Sequence, residues 1–172
     1  SSFASTSSTV YTATFTPTTD GTCTIDVLAD TFTDTVGNNN ASSQFNWTYD
    51  TTSPTMTITA LEVSDGDTSS DETLSLTFTS SEATTNFAVG DISVSNGALS
   101  SFAASSSTVY TATFTPANDG ACTIDVAVNT YTDASGNNNS AADQFNWTYD
   151  GTSPTMVITA SQVSDGATSN NA

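Results

Sequence analysis

The chain copies itself. Residues 1–50 reappear almost unchanged from Ser100 onward: VYTATFTP at Val10 to Pro17 returns at Val109 to Pro116, QFNWTYD at Gln44 to Asp50 returns at Gln144 to Asp150, and TSPTM at Thr52 to Met56 returns at Thr152 to Met156. The offset is 99 residues from Tyr11 to Tyr110, and 100 from Trp47 to Trp147 after one extra residue near Asp143. A period this long is a small domain, not a solenoid unit. The 172 residues are therefore expected to be a window on a tandem array: 1–50 the C-terminal part of one unit, 51–150 a complete unit, and 151–172 the start of a third.

Within the complete unit the apolar residues alternate with Thr and Ser at period two, which is the pattern of strands with one solvated face. Seven strands are expected, at Thr55–Leu61, Glu72–Ser80, Asp91–Val94, Leu99–Ala103, Thr108–Thr115, Ala121–Val128 and Gln144–Tyr149, with a turn at Asn96-Gly97 and a short helical turn within Ser80 to Val89. That spacing predicts an all-β sandwich. The unit holds enough large apolar side chains to fold alone, whereas residues 1–50 lack the strands that would cover their apolar face. Parity places Cys122 with Ile124, Val126 and Val128 on a buried face, and Trp47 and Trp147 with their neighbouring aromatics in a core. One cysteine per unit, Cys23 and Cys122, does not make a disulfide framework.

Charge narrows the function. The chain has no Lys, Arg or His, and 18 acidic residues give it a net charge of −18. Nucleic acid and anionic membrane surfaces are excluded as partners, because both need cationic side chains to displace counterions. The same absence removes the usual bases of acid–base, nucleophilic and phosphoryl-transfer chemistry, so no enzyme is expected. The carboxylates have no basic side chain to pair with. Where they cluster, each pair at about 4 Å repels by roughly 1 kcal/mol in water, which implies either high salt or bound metal, metal being the sharper reading.

The motifs TSPTM, SSEATTNFAVGDISVSNG at Ser80 to Gly97, VYTATFTP followed by NDG, TDASGNNN at Thr132 to Asn139, and FNWTYD, in this order, resemble the bacterial Ig-like repeats of large surface adhesins and related secreted proteins. The resemblance spans the whole chain as partial, complete and partial copies. It implies Ig-like β-sandwiches in tandem that extend a distal adhesive domain, lying outside these residues, away from the cell. It also implies an extracellular, cell-surface or secreted-fibre location, often with calcium at the junctions between units. A total lack of Lys and Arg departs from the family's usual composition.

In such a sandwich the loops fall at two poles. Glu82 and Asp133 are expected near Asp50 at the N-terminal pole, and Asp65, Asp67 and Asp119 near Asp150 at the C-terminal pole. Stacking units end to end would bring Asp20 of the first copy toward Asp50, Glu82 and Asp133. Such a junction suits calcium, which takes 6–8 oxygen ligands, with Asn137 or main-chain carbonyls completing the shell. The competing reading is that these are ordinary solvated turn residues. Asp65-Gly66-Asp67 opens like an EF-hand loop but has no glutamate at the twelfth position.

Three functions compete. The first is a structural extender, stacking against neighbouring repeats into a rigid stalk. The second is a subunit of a self-assembling extracellular filament, in which strands such as those of 151–172 complete residues 1–50 of another copy. The third, a carbohydrate-binding module, requires an exposed aromatic platform.

Overall fold

The computed structural model describes residues 2–170. Its strands, in chain order, are β1 (Ala4–Ser5), β2 (Tyr11–Thr12), β3 (Gly21–Val27), β4 (Ser43–Tyr49), β5 (Met56–Ala60), β6 (Thr68–Ser69), β7 (Leu74–Ser80), β8 (Ile92–Ser95), β9 (Gly97–Ala104), β10 (Val109–Pro116), β11 (Gly120–Val126) and β12 (Phe145–Tyr149). Strands β5 to β12 form two four-stranded sheets, ordered β5-β7-β10-β9 and β6-β12-β11-β8. They face each other as an Ig-like β-sandwich.

Period-two patterning produces this arrangement directly. In β7 Leu74, Leu76, Phe78 and Ser80 are buried while Ser75 and Thr79 between them are exposed, and β10 buries Tyr110, Ala112 and Phe114 beside them in register. The facing sheet supplies Cys122, Ile124 and Val126 from β11 and Phe145 and Trp147 from β12. Each fully buried large side chain of this set contributes about 1.5–3 kcal/mol of transfer free energy. Phe87 and Tyr131, from loops, seal the N-terminal end through edge-on ring contacts with each other at 5.2 Å and between Phe87 and Tyr110 at 5.0 Å.

Consecutive strands β8 and β9 lie in different sheets with Asn96 alone between them. Asn96 takes the left-handed conformation (φ 52°) that makes this corner, and its Nδ2 donates to the Asn118 carbonyl at 2.8 Å. Gly97 follows because nothing larger fits: a Cβ there would lie 2.2 Å from Cζ of Phe114.

The expected strands are all present with ends shifted by one or two residues, and three features differ. A short strand, β6, pairs parallel with β12; two residues carry no periodicity, so the pattern could not reveal it. The helical turn falls at Val89–Asp91, at the far end of the segment where one was expected. Val128 is exposed, because β11 ends at Val126 and Asn129 turns the chain with φ 61°.

The flanking copies repeat the local pairing without the surroundings. Cys23 stands opposite Trp47 as Cys122 stands opposite Trp147, and Ala4 opposite Thr12 as Ala103 opposite Thr111. Yet Phe45 is 65% exposed where Phe145 is 4%. Trp47 is only partly covered, packed edge-on against Phe15, which corrects its expected place in a core, whereas Trp147 is buried. Residues 151–170 form no strand, and Met156 and Ile158 are exposed. Both cysteines are free.

Candidate metal centre

The acidic residues are segregated. Strands β5, β7, β9 and β10 contain none, so the carboxylates collect in the loops and at the poles. At the N-terminal pole three of them meet. Asp50 directly follows β4, Glu82 follows β7, and Asp133 lies in the long loop between β11 and β12; one carboxylate oxygen from each falls within 4.8 Å of the others. This is the grouping of Asp50, Glu82 and Asp133 anticipated from the loop order.

The loop that carries Asp133 is fixed by one side chain. Asn139, 1% exposed, accepts from the amides of Thr130 (2.8 Å) and Tyr131 (3.0 Å) through Oδ1, and donates through Nδ2 to the carbonyls of Ala127 (2.8 Å) and Ser140 (2.7 Å). The two amides and the Ser140 carbonyl would otherwise be backbone atoms without partners, while the Ala127 carbonyl also accepts from the Thr130 hydroxyl at 3.0 Å. Asp133 then closes the tip, its Oδ1 accepting from the amides of Ser135 and Asn137 (both 2.8 Å) and its Oδ2 from Asn137 Nδ2 (2.8 Å). The loop reaches the linker through two further bonds: Ser135 Oγ donates to Asp50 Oδ2 at 2.9 Å, and Asn137 Nδ2 to the Asp50 carbonyl at 3.1 Å.

The three carboxylates are not equivalent. Burial pushes the Asp133 carboxyl up, but the Asn137 side chain and the amides of Asn137, Ser135 and Gly136 outweigh it and hold it below the usual aspartate value. Glu82 accepts no hydrogen bond among the described residues. Its carboxyl is pushed up, first by burial and then by the charges of Asp50, Asp133 and Asp20. Two carboxylates about 4.8 Å apart repel by roughly 1 kcal/mol in bulk water and by several at a protein surface, and this chain has no basic side chain to offset it. Three hard oxygen donors converging without a counter-charge fit a calcium-like cation, which takes just such ligands.

Asp20 arrives from the first copy but grips the linker. Its two oxygens accept from the hydroxyls of Thr51 (2.8 Å) and Thr52 (2.9 Å), which lowers its pKa. With Tyr49, Asp50 and Glu82 it lines a shallow cleft. At the C-terminal pole Asp119 repeats the grip, accepting from the Gly151 amide at 2.8 Å and from the Thr152 hydroxyl. Asp150 caps the Thr152 amide as Asp50 caps that of Thr52. Asp65 and Asp67 do not join these groups: Asp65 accepts from the Asn146 amide at 2.6 Å and Asp67 from the Ser64 amide at 2.8 Å.

Sequence reasoning passed over two features here. Asp34 and Asn38 in the first copy reproduce the bonding of Asp133 and Asn137. Asn139 stands in the sequence only as one residue of TDASGNNN and its copy at Asn40; in the structure Asn40 bonds to the same four positions.

A family model described as bacterial Ig-like domain matches residues 50–149. No curated protein and no solved structure matches the chain.

Proposed function

The chain belongs to the bacterial Ig-like domain family, and from that premise we propose that it is an extender segment of an extracellular, adhesin-like surface protein, in which successive units stack end to end and a calcium ion stiffens each junction. Family membership is consistent with an extracellular structural or adhesin-like module. No helix among the described residues is long and apolar enough to cross a membrane. The finer reading rests on one observation: the carboxylates of Asp50, Glu82 and Asp133 converge where one copy hands over to the next, with Asp20 of the preceding copy holding the linker. Asp50, Glu82 and Asp133 are the residues that would hold the ion, and the ion would supply the positive charge the chain lacks. The partners of such a segment are the neighbouring units themselves. The aromatic platform that carbohydrate binding needs is not offered by Trp147, which is 2% exposed.

Calcium titration of the intact chain, followed by small-angle scattering and thermal unfolding, tests this. Calcium is expected to narrow the range of angles between the first copy and the sandwich of β5 to β12 and to raise its melting temperature. Glu82→Gln and Asp50→Asn should remove both effects, and Asp67→Asn neither. Identical scattering and melting with and without calcium would take the metal out of the reading.

A further inference from the structure

We propose that Asn96-Gly97 is a covalent modification site gated by the fold, closed to deamidation while the sandwich stands and open to it once the corner between β8 and β9 comes apart. It is the only Asn-Gly step in the 172 residues, and the corner calls for both members. Gly97 has no substitute, because a Cβ there would run into the Phe114 ring and the Thr115 carbonyl. Asn96 holds φ 52°, which asparagine tolerates better than most side chains. The geometry that turns the chain therefore sets a bare glycine nitrogen directly after a carboxamide.

In the reaction the Gly97 nitrogen loses its proton and bonds to Cγ of Asn96, while the Cγ–Nδ2 bond breaks and ammonia leaves with that proton. Water then opens the succinimide ring. Cleavage of the new bond to Cγ leaves aspartate, and cleavage at the main-chain carbonyl carbon leaves isoaspartate, with the backbone rerouted through the side chain. Water enters, ammonia departs, and nothing is oxidised or reduced.

The folded corner blocks the first step twice. In the left-handed conformation ψ is about +47°, which leaves the Gly97 nitrogen roughly anti to Cβ and away from Cγ. The carboxamide is also tethered: Nδ2 donates to the Asn118 carbonyl at 2.8 Å and lies 3.5 Å from Cys122 Sγ, while the Asn96 carbonyl accepts from the Ala117 amide at 2.9 Å. Neither product fits what remains. Aspartate would turn a carboxylate on the Asn118 carbonyl in a chain with no basic side chain to offset it. Isoaspartate would add a backbone carbon where Asn96 alone separates strands of two sheets and Gly97 has no clearance. A unit left unfolded long enough is thus retired, since it can close before the reaction and not after it.

Incubating the intact chain in mildly alkaline buffer, with and without denaturant, tests the gate by peptide mass spectrometry. The Asn96 peptide should gain the mass of amide-to-acid conversion at least about thirtyfold more slowly in native protein, the factor that two ordinary hydrogen bonds set. Equal rates in the two states, or no conversion in denaturant, overturn the proposal. After dilution from denaturant, the refolded fraction should carry the intact amide and the unfolded fraction the acid. The same acid content in both fractions would show that the corner accepts the product, which also overturns it. Asn96→Gly takes a positive φ without a carboxamide, so its refolding yield should not decline with time in denaturant while that of the parent chain does; equal decline counts against the proposal. None of these results depends on calcium or on stacking between units, so the extender reading stands or fails separately.

Discussion

Replacing Asn139 by alanine should be among the most damaging single changes outside the apolar core. The side chain is buried and makes four bonds to main-chain groups at 2.7–3.0 Å, at Thr130, Tyr131, Ala127 and Ser140. A net contribution of about 1 kcal/mol for each gives a loss of roughly 4 kcal/mol, with two amides and the Ser140 carbonyl left to find water in a tight loop while the Ala127 carbonyl keeps the Thr130 hydroxyl. Folded domains hold only about 5–15 kcal/mol in total, so this is a large fraction. For a domain of this size it corresponds to a fall in melting temperature of roughly 15–30 °C. Equilibrium denaturation of the chain, followed by tryptophan fluorescence from Trp147, measures it directly. Asn40→Ala supplies the internal control: the bonds are equivalent, but the loop around Asn40 is exposed, and the main transition should move by well under 1 kcal/mol. Asn139→Ala should also lower calcium affinity, because the released loop carries Asp133. A cost below about 1 kcal/mol, or equal costs at the two asparagines, would refute the argument that one side chain organises this loop.

The acid response of the pole has a definite sign. In metal-free buffer Glu82, whose folded carboxyl titrates above its unfolded value, weakens the fold when ionised, so Glu82→Gln should raise stability at pH 7, and the gain should shrink as pH falls through the raised folded value toward the ordinary glutamate value and be gone below it. Asp133 is depressed and works the other way: its contribution is present above the ordinary aspartate value and is lost only at more acidic pH, so Asp133→Asn should destabilise at pH 7 and become neutral in strong acid. Cys122 is fully buried with its thiol pushed up by that burial, so native protein should label rapidly with a thiol reagent at Cys23 alone and at both positions in denaturant. Gly97→Ala should cost several kcal/mol, about what overpacking or strain in a core costs, because its Cβ would meet Phe114 Cζ at 2.2 Å and the Thr115 carbonyl at 2.6 Å; an unperturbed melting curve would contradict the close packing at that corner.

The sandwich was legible because its strands bury one face each. Alternation in LSLTFTS and VYTATFTP carries both the strand and its orientation, and the repeat supplies a second reading of the same signal. β6 was not legible: its place is fixed by hydrogen bonds to β12, which leave no mark on side-chain polarity. Asp50, Glu82 and Asp133 could be brought together from loop order alone, since loops of a sandwich alternate between two poles. For Asp65 and Asp67 the same logic locates the loop and not the direction of the side chain: Asp65 accepts from the Asn146 amide and Asp67 from the Ser64 amide. Trp47 shows the converse limit. Its parity is that of Trp147, but burial belongs to the opposite sheet as much as to the strand.

The acidic pole draws its carboxylates unequally from the two sides of a repeat boundary. Asp50 closes one copy, Glu82 and Asp133 belong to the next, and Asp20 and Asp119 each clasp the threonine-bearing linker that follows them. Because the copies are nearly identical, a genetic crossover between any two of them joins the end of one to the beginning of another and restores the same junction. In the proposed extender, whole units could then be gained or lost in multiples of one period without orphaning a carboxylate. The length of such a protein becomes an evolvable quantity that its local chemistry never has to renegotiate.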